Sequence, residues 1–489
     1  MGNTQNVSPL LKNPLFILLL LCVLGRPLPA SALTYYMSPS GSEANDGRSA
    51  NTSWITPNHS GLLCGDVIVA AAGQYPAITV TTTPSCRGHN AVFVTCAAFA
   101  QCKIVGSQTQ GGILVQASHW SFMGWEVSTP AGSSAYASCF QATPGDAGPI
   151  HDIYFINDIA NGCQAGGFTA SNAVDYYAAV ADIAWNAAQN DPFCYSGFSV
   201  YQPLASDTLP GTHIYLSQLF AWHNVDPGWC QNGPSIDGEG VILDTFNGTQ
   251  GTAIPYTQQA VVENVIAVFN GAGGILEGGS GNSGASIYIR HNTAFGNFID
   301  PTQNARVCGQ IESVGSPADD RSKMNVNTQL FANLAVVPTG GTAVACGAHP
   351  AYAYFMGNVD ATTLLYVNAG FSSVGNNVGQ EGLVDGFLAA PANFFGVDPV
   401  FANPVEPPAP DCTAKVNVID CVAGMIAGFR PTKLALSSFG YQPPRTAIIY
   451  DPLFPTWLCN SNIPVGLVTR GCSLATPRTN AAEEPNDQS

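Results

Sequence analysis

Chemistry in this chain is best sought in a glycine-flanked pair of carboxylates, Asp237-Gly238-Glu239-Gly240, with a third acid, Asp244, closing the Val241-Ile242-Leu243 run that follows. Carboxylates two residues apart between glycines can converge on a hard cation such as calcium. Paired carboxylates can also work as general acid and base. A polar turn with solvated acids is the plain alternative. Side chains alternate along a strand, so Ile242 and Asp244 point outward if Val241 and Leu243 point inward. The same alternation turns Ser199 and Tyr201 outward when Phe198 and Val200 pack inside, and Gln310 and Glu312 outward when Ile311 packs inside. Asp244, Glu239 and Glu312 are therefore the candidate catalytic residues, and Asp237, Glu239 and Asp244 the candidate metal ligands.

The elements that must hold these groups come from a loose repeat of short, alternating, Asn-terminated segments. His213-Ile214-Tyr215-Leu216 runs to His223-Asn224. Ala260-Val261-Val262-Glu263-Asn264 runs to Phe269-Asn270. Ser286-Ile287-Tyr288-Ile289 runs to Gly296-Asn297. One such strand cannot bury its apolar side alone, whereas a stack of them shares a continuous core. An Asn at a recurring bend tolerates left-handed backbone and can bond its neighbour in the next coil. The step from Asn264 to Asn292 is 28 residues, which fits one coil. Asn224 to Asn270 is 46, which fits two coils or one coil with a long loop. Asn333, Asn358 and Asn376 suggest that the stack continues. An ordinary β-sandwich with Asn in its turns is the competing fold. The Ala-rich stretch from Asp175 to Asn190 reads as a further coil, because Trp185-Asn186 repeats the closing apolar–Asn step.

Composition narrows the partners. The formal net charge is −17 and only 10% of residues are charged, which argues against nucleic acid. Residues 1–32 read as a signal peptide: Lys12, the apolar run Leu15 to Leu24, then Ala30-Ser31-Ala32 before the cleavage point. That run is short for a bilayer span, so a secreted chain with no stable membrane insertion is expected, working as a monomer. Fourteen Cys remain after Cys22, an even number that suits disulfides in an exported protein. Cys64, Cys86, Cys96 and Cys102, and later Cys412, Cys421, Cys459 and Cys472, look like staples. The mature region, 33–472, divides into opening coils (33–127), a repeating body (128–390) and a closing segment (391–472). The polar tail 473–489 is expected to be disordered.

The opening Tyr35-Tyr36-Met37-Ser38-Pro39-Ser40-Gly41-Ser42 with Asn45-Asp46-Gly47, the body motif around Asp237 to Asp244, and the closing Gly396-Val397-Asp398-Pro399-Val400-Phe401 with Phe429-Arg430-Pro431 resemble secreted right-handed parallel β-helix proteins of the pectate-lyase-like superfamily. The resemblance implies an all-β, single-stranded right-handed parallel β-helix with loop insertions. It implies a polysaccharide in an outer groove, and a lyase-like enzyme cleaving an acidic polymer with calcium as cofactor. In the calcium-dependent lyases of this group a Lys is the base; here Leu276 holds the matching outward place. His213, His223, Arg290 and Tyr201 are the candidates to stand in for it. Tyr201, Trp229, Tyr256 and Arg290 are the candidate substrate-binding residues, the aromatics by stacking on pyranose faces. A glycoside hydrolase using Asp244 with Glu312 or Asp237, and a non-catalytic glycan-binding surface or matrix protein, are the two other readings.

Overall fold

The computed structural model describes residues 32–107, 111–131, 138–145, 148–189, 194–226, 229–230, 233–234, 237–248, 254–279, 283–300, 309–314, 327–337, 352–356, 371–375, 378–379, 394–395, 398–442 and 453–459. The expected signal segment and polar tail, Asn358, Asn376 and the side chain of Trp229 lie outside them. Met1–Leu33 and Thr34–Ser489 are separate compact units; the second is described here.

Three parallel sheets of 11, 9 and 11 strands make a parallel β-helix, each complete coil giving one strand to each sheet. The coil around the acidic motif shows the order: Thr212–Ser217 in the first sheet, Phe220–Trp222 in the third, Val241–Asp244 in the second, then Gln259–Glu263 back in the first. Thr212–Ser217 pairs directly with Gln259–Glu263, so the 46-residue step from Asn224 to Asn270 is one coil with a long loop. The Ala-rich stretch, described from Asp175 to Gln189, is a coil and not a helix, with strands Val174–Val180 and Ile183–Trp185.

The repeat has a physical division of labour that the Asn pattern alone blurs. The left-handed bend falls on the residue before the ladder Asn, at His223, Phe269 and Gly296, and at the equivalent Gly162 and Asn186 of earlier coils, which precede Cys163 and Ala187; all five have positive φ. The following Asn224, Asn270 and Asn297 are buried. Each amide N–H donates to the side-chain oxygen one coil on: Asn224 to Asn270 and Asn270 to Asn297, both at 2.9 Å. Gln310 ends this ladder, accepting from Asn297 Nδ2 at 2.8 Å. Gln310 therefore turns into the stack and not outward as alternation suggested, because a buried amide at that place needs the partner that Asn297 supplies. A second ladder joins Asn292 to Asn333 at 3.0 Å. Beside the first runs a glycine column, Gly167, Gly197, Gly240 and Gly274. A Cβ on Gly240 would stand 2.7 Å from the Gly274 carbonyl oxygen, so close stacking of coils excludes any side chain here.

Disulfides Cys64–Cys86, Cys96–Cys102, Cys139–Cys163 and Cys412–Cys421 are among those formed. Cys139–Cys163, which the sequence did not single out, ties successive coils in the core. The closing segment runs back along the stack. Val418, Met425 and Phe429 pack on the outer side of the third sheet against Phe220, Ile266 and Phe295. Phe454, Trp457 and Leu458 pack on the outer side of the first against Tyr154 and Tyr215. Among the described residues no comparable apolar cover lies on the outer side of the second sheet. No helix among them is long and apolar enough to cross a membrane.

Candidate active site

The second sheet carries the acidic row. Its pairing aligns Tyr201 with Asp244 and Asp244 with Gly278, and in the next row Ser199, Ile242, Leu276 and Glu312. Val241, Leu243, Ile275 and Ile311 fill the core beneath. Asp244, Tyr201 and Leu276 thus stand on the outward side where alternation put them. Both Tyr201 and Asp244 are half-buried. Gly278, beside Asp244 in the next coil, leaves a notch: a Cβ there would sit 3.8 Å from Asp244 Oδ1 and 3.6 Å from Leu276 Cγ.

Depth separates the carboxylates. Glu239 is 2% exposed and closes a reciprocal pair, its Oε2 accepting from Ser196 Oγ at 2.7 Å while its N–H donates to the same oxygen at 3.2 Å. Burial pushes its carboxyl up to about 8; the Ser196 bond opposes the rise, and the charges of Asp244 and Asp226 add to it. Asp244 is pushed up to about 6 by burial, against bonds from Thr245. Glu312 is also 2% exposed. It accepts from the Gly309 N–H at 3.0 Å and fits because Gly273 has no side chain, whose Cβ would be 2.6 Å from Glu312 Oε1. Burial, then the charge of Glu239, holds its carboxyl well above the usual range. Glu312 is therefore enclosed and does not stand open beside Asp244. Tyr201 titrates above an ordinary phenol, from burial and from Asp244 beside it, and its oxygen accepts from Gln202 Nε2 at 2.7 Å.

Other sequence candidates fall elsewhere. Tyr256 is fully buried, its hydroxyl donating to Asp175 at 2.7 Å and its ring against Phe246; a ring enclosed in this way has no face for a sugar. Arg290 is on the first sheet, paired with Glu263 at 2.6 Å, and so is not on the face that carries Asp244. His213 is buried against Asp175, and His223 pairs with Glu406 at 2.6 Å. Asp237 is half-buried in the loop before Gly238. Asp237, Glu239 and Asp244 are not among the sets of three described residues whose ligand atoms lie within 4.8 Å of one another.

The sequence reading missed a second cluster, at the start of the first sheet. The residues just before Trp120, Ile153, Tyr177 and Ile214, which align in register, are His119, Asp152, Tyr176 and His213. The first three take φ of 70°, 60° and 44°. Asp152 is fully buried. Its oxygens receive the Tyr154 hydroxyl at 2.7 Å and lie 2.7 Å from His151 Nδ1 and 3.1 Å from both His89 Nδ1 and His119 Nδ1. Burial alone would raise this carboxyl, but the bonds to the three imidazoles win and hold it well below the usual range. His89, Tyr176 and His213 stack successively at 3.6 and 3.9 Å. The available signal was a polar pair ahead of each apolar strand: Ser118-His119, His151-Asp152, Asp175-Tyr176 and Thr212-His213.

No family model and no curated protein matches the sequence. Among solved structures the chain is similar to pectate lyase Pel9A, at 18% identity over 63% of this chain and 70% of that one, with a TM-score of 0.41. It is similar also to a rhamnogalacturonan lyase, at 15% identity over 84% of this chain and 99% of that one, with a TM-score of 0.42. A third likeness is to the Azotobacter vinelandii mannuronan C-5 epimerase AlgE4 A-module, at 14% identity over 59% of this chain and 82% of that one, with a TM-score of 0.29. In fold the chain is a parallel β-helix of three sheets.

Proposed function

We propose that this chain is a secreted, lyase-like enzyme that cleaves a uronate-containing polysaccharide by β-elimination on the outer face of the second sheet, with Asp244 as base and Tyr201 as acid. The observation that carries the reading is their placement. They are register partners in adjacent coils, both half-buried, beside the notch at Gly278, on a face that among the described residues lacks the apolar cover of the other two sheets. Asp244 takes the C5 proton. The C4–O4 bond breaks with its electron pair going to O4, and the Tyr201 hydroxyl protonates that oxygen. The products are a 4,5-unsaturated uronate on one fragment and, on the other, a new reducing end whose anomeric hydroxyl is the former O4, after which solvent restores both side chains. A carboxylate pushed up to about 6 is a stronger base than a free one and is still ionised at neutral pH. A phenol raised above its ordinary value stays protonated as the acid.

Burial also lowers the charge of the row. It drives Glu239, at about 8, and Glu312, raised well above its ordinary value, towards the neutral acid. A row with less negative charge around Asp244 repels an anionic polymer less. A two-carboxylate hydrolysis needs both acids to reach the sugar, and Glu312 is enclosed. Asp237, Glu239 and Asp244 do not converge here, so no step is routed through calcium.

The test measures ultraviolet absorbance of unsaturated ends and, in the same tubes, reducing ends, on a panel of uronate polymers with calcium or with chelator. Both signals rising together, and both lost in Asp244→Asn, is the expected result. Reducing ends without absorbance would mean hydrolysis. Affinity with neither product would mean a glycan-binding protein. Loss of the signal with chelator would restore calcium to the mechanism.

A further inference from the structure

We propose that His119, His151 and Asp152 bind a divalent transition-metal ion of the zinc type at the start of the first sheet. This site is on a different sheet from Asp244 and does not rest on the reading above. The argument begins with convergence. His119 Nδ1 and His151 Nδ1 lie 3.1 and 2.7 Å from the same Asp152 oxygen, Oδ2. The three ligand atoms all fall within 4.8 Å of one another. The two imidazole rings are nearly perpendicular, at 85° with centroids 4.8 Å apart, so their nitrogens approach one point from different directions. Ligand atoms about 2.0–2.1 Å from a tetrahedral ion stand roughly 3.3 Å apart. The His119 and His151 nitrogens stand about 0.2 and 0.6 Å nearer to Asp152 Oδ2 than that spacing.

The surroundings fit a held ligand set with an open position. Asp152 Oδ1 faces away from the two imidazoles and is fixed by the Tyr154 hydroxyl at 2.7 Å and His89 Nδ1 at 3.1 Å. Outer partners of this kind orient a metal-binding carboxylate. The His119 and His151 side chains are 12% and 22% exposed, which gives an ion an access path and leaves room for water as a fourth ligand. His119 Nδ1 also lies 2.9 Å from the Asn90 carbonyl, a contact that metal binding would exchange. Cys64 and Cys86 are close by but are joined to each other, so no thiolate enters the set. Two imidazoles and one carboxylate suit zinc, nickel or copper. Calcium prefers six to eight oxygens.

The test is titration of the chelator-stripped, tag-free chain with Co(II), followed by visible absorption and then by competition with Zn(II). One equivalent with the intense bands of tetrahedral Co(II), displaced by Zn(II) and indifferent to excess Ca(II), is expected. His119→Gln and His151→Gln should each weaken Zn(II) by more than ~100-fold, and Tyr154→Phe by ~10–100-fold, while Asp244→Asn leaves binding unchanged. No stoichiometric Co(II) spectrum in the unaltered chain would overturn the proposal, whether or not the variants fold. Undiminished binding in the His variants would overturn it equally, by placing the ion elsewhere.

Discussion

The acidic row of the second sheet and the histidine cluster of the first bury carboxylates to similar depth and leave them in opposite states. Glu239 and Glu312, each 2% exposed, have a hydroxyl or a backbone N–H for company and are driven towards the neutral acid. Asp152, fully buried, is surrounded by three imidazoles and a phenol and is driven the other way. Burial sets the penalty for charge, and the partners decide whether it is overcome. The first arrangement leaves Asp244 as the more exposed carboxylate of the row. The second keeps a buried, fixed anion ringed by nitrogen donors.

The strongest way to break this contrast is to neutralise that more exposed carboxylate. Asp244→Asn should lower elimination by about 10²–10⁴-fold, leave metal binding unaltered and, because it removes a charge that burial disfavours, raise the melting temperature at neutral pH. Tyr201→Phe should fall in the same range. An Asp244→Asn protein that still forms unsaturated ends at the original rate would sink the assignment of the base.

Deleting a buried acid should be costly in one cluster and cheap in the other. Asp152→Ala strands three imidazoles and the Tyr154 hydroxyl, so urea unfolding should show a loss of about 3–5 kcal/mol. Glu239→Gln replaces a group that is already neutral and keeps an acceptor for Ser196, so its cost should stay within ~1 kcal/mol. Equal losses would mean that Glu239 is ionised in the folded chain.

The same residue gives a pH signature. The folded value of Glu239, about 8, lies above its ordinary 4.5. Between these values the native state holds a proton that the unfolded chain has released. Its contribution is therefore full below pH 4.5 and is lost as pH rises towards 8. Asp244, raised from 3.8 to about 6, acts in the same direction over a lower window. Thermal melts should show stability falling from pH 5 to 8, by an amount on the order of a few kcal/mol, and Glu239→Gln should flatten that slope. An unchanged slope in the variant would contradict the buried, protonated acid.

The sequence made the direction of side chains legible far better than their depth. Period-two alternation placed Asp244, Tyr201 and Leu276 outward, and the Asn steps announced the stacked coils. Alternation says nothing of what lies over a side chain. Glu312 is enclosed because Gly273, one coil earlier, makes room for it. Tyr256 is enclosed because Asp175 takes its hydroxyl across 81 residues of chain. Arg290 could have been paired from the repeats, since Val262-Glu263-Asn264 and Ile289-Arg290-His291 occupy equivalent places. The histidine cluster escaped for another reason. His119 just precedes its strand, and Asp152 and Tyr176 interrupt the strands Ile150–Ile156 and Val174–Val180 at left-handed positions, so period two does not apply to them, and partners arrive from other coils.

The smallest effect tests the geometry of the groove itself. Gly278 is the register neighbour of Asp244, and the contacts of its would-be Cβ at 3.6 and 3.8 Å are ordinary ones. Unlike Gly240, it is not required by the stacking. Val suits a strand at least as well as Gly, so Gly278→Val should leave thermal stability unchanged or slightly improved. Its methyl groups would narrow the notch beside the base, and a sugar ring passing there should lose about 1–2 kcal/mol of contact, seen as a roughly tenfold rise in KM with kcat less affected. Gly278→Ala should fall between the two. Unaltered kinetics in the Val variant would mean that the polymer does not run past Gly278, and would move the substrate path to the Tyr201 side of Asp244.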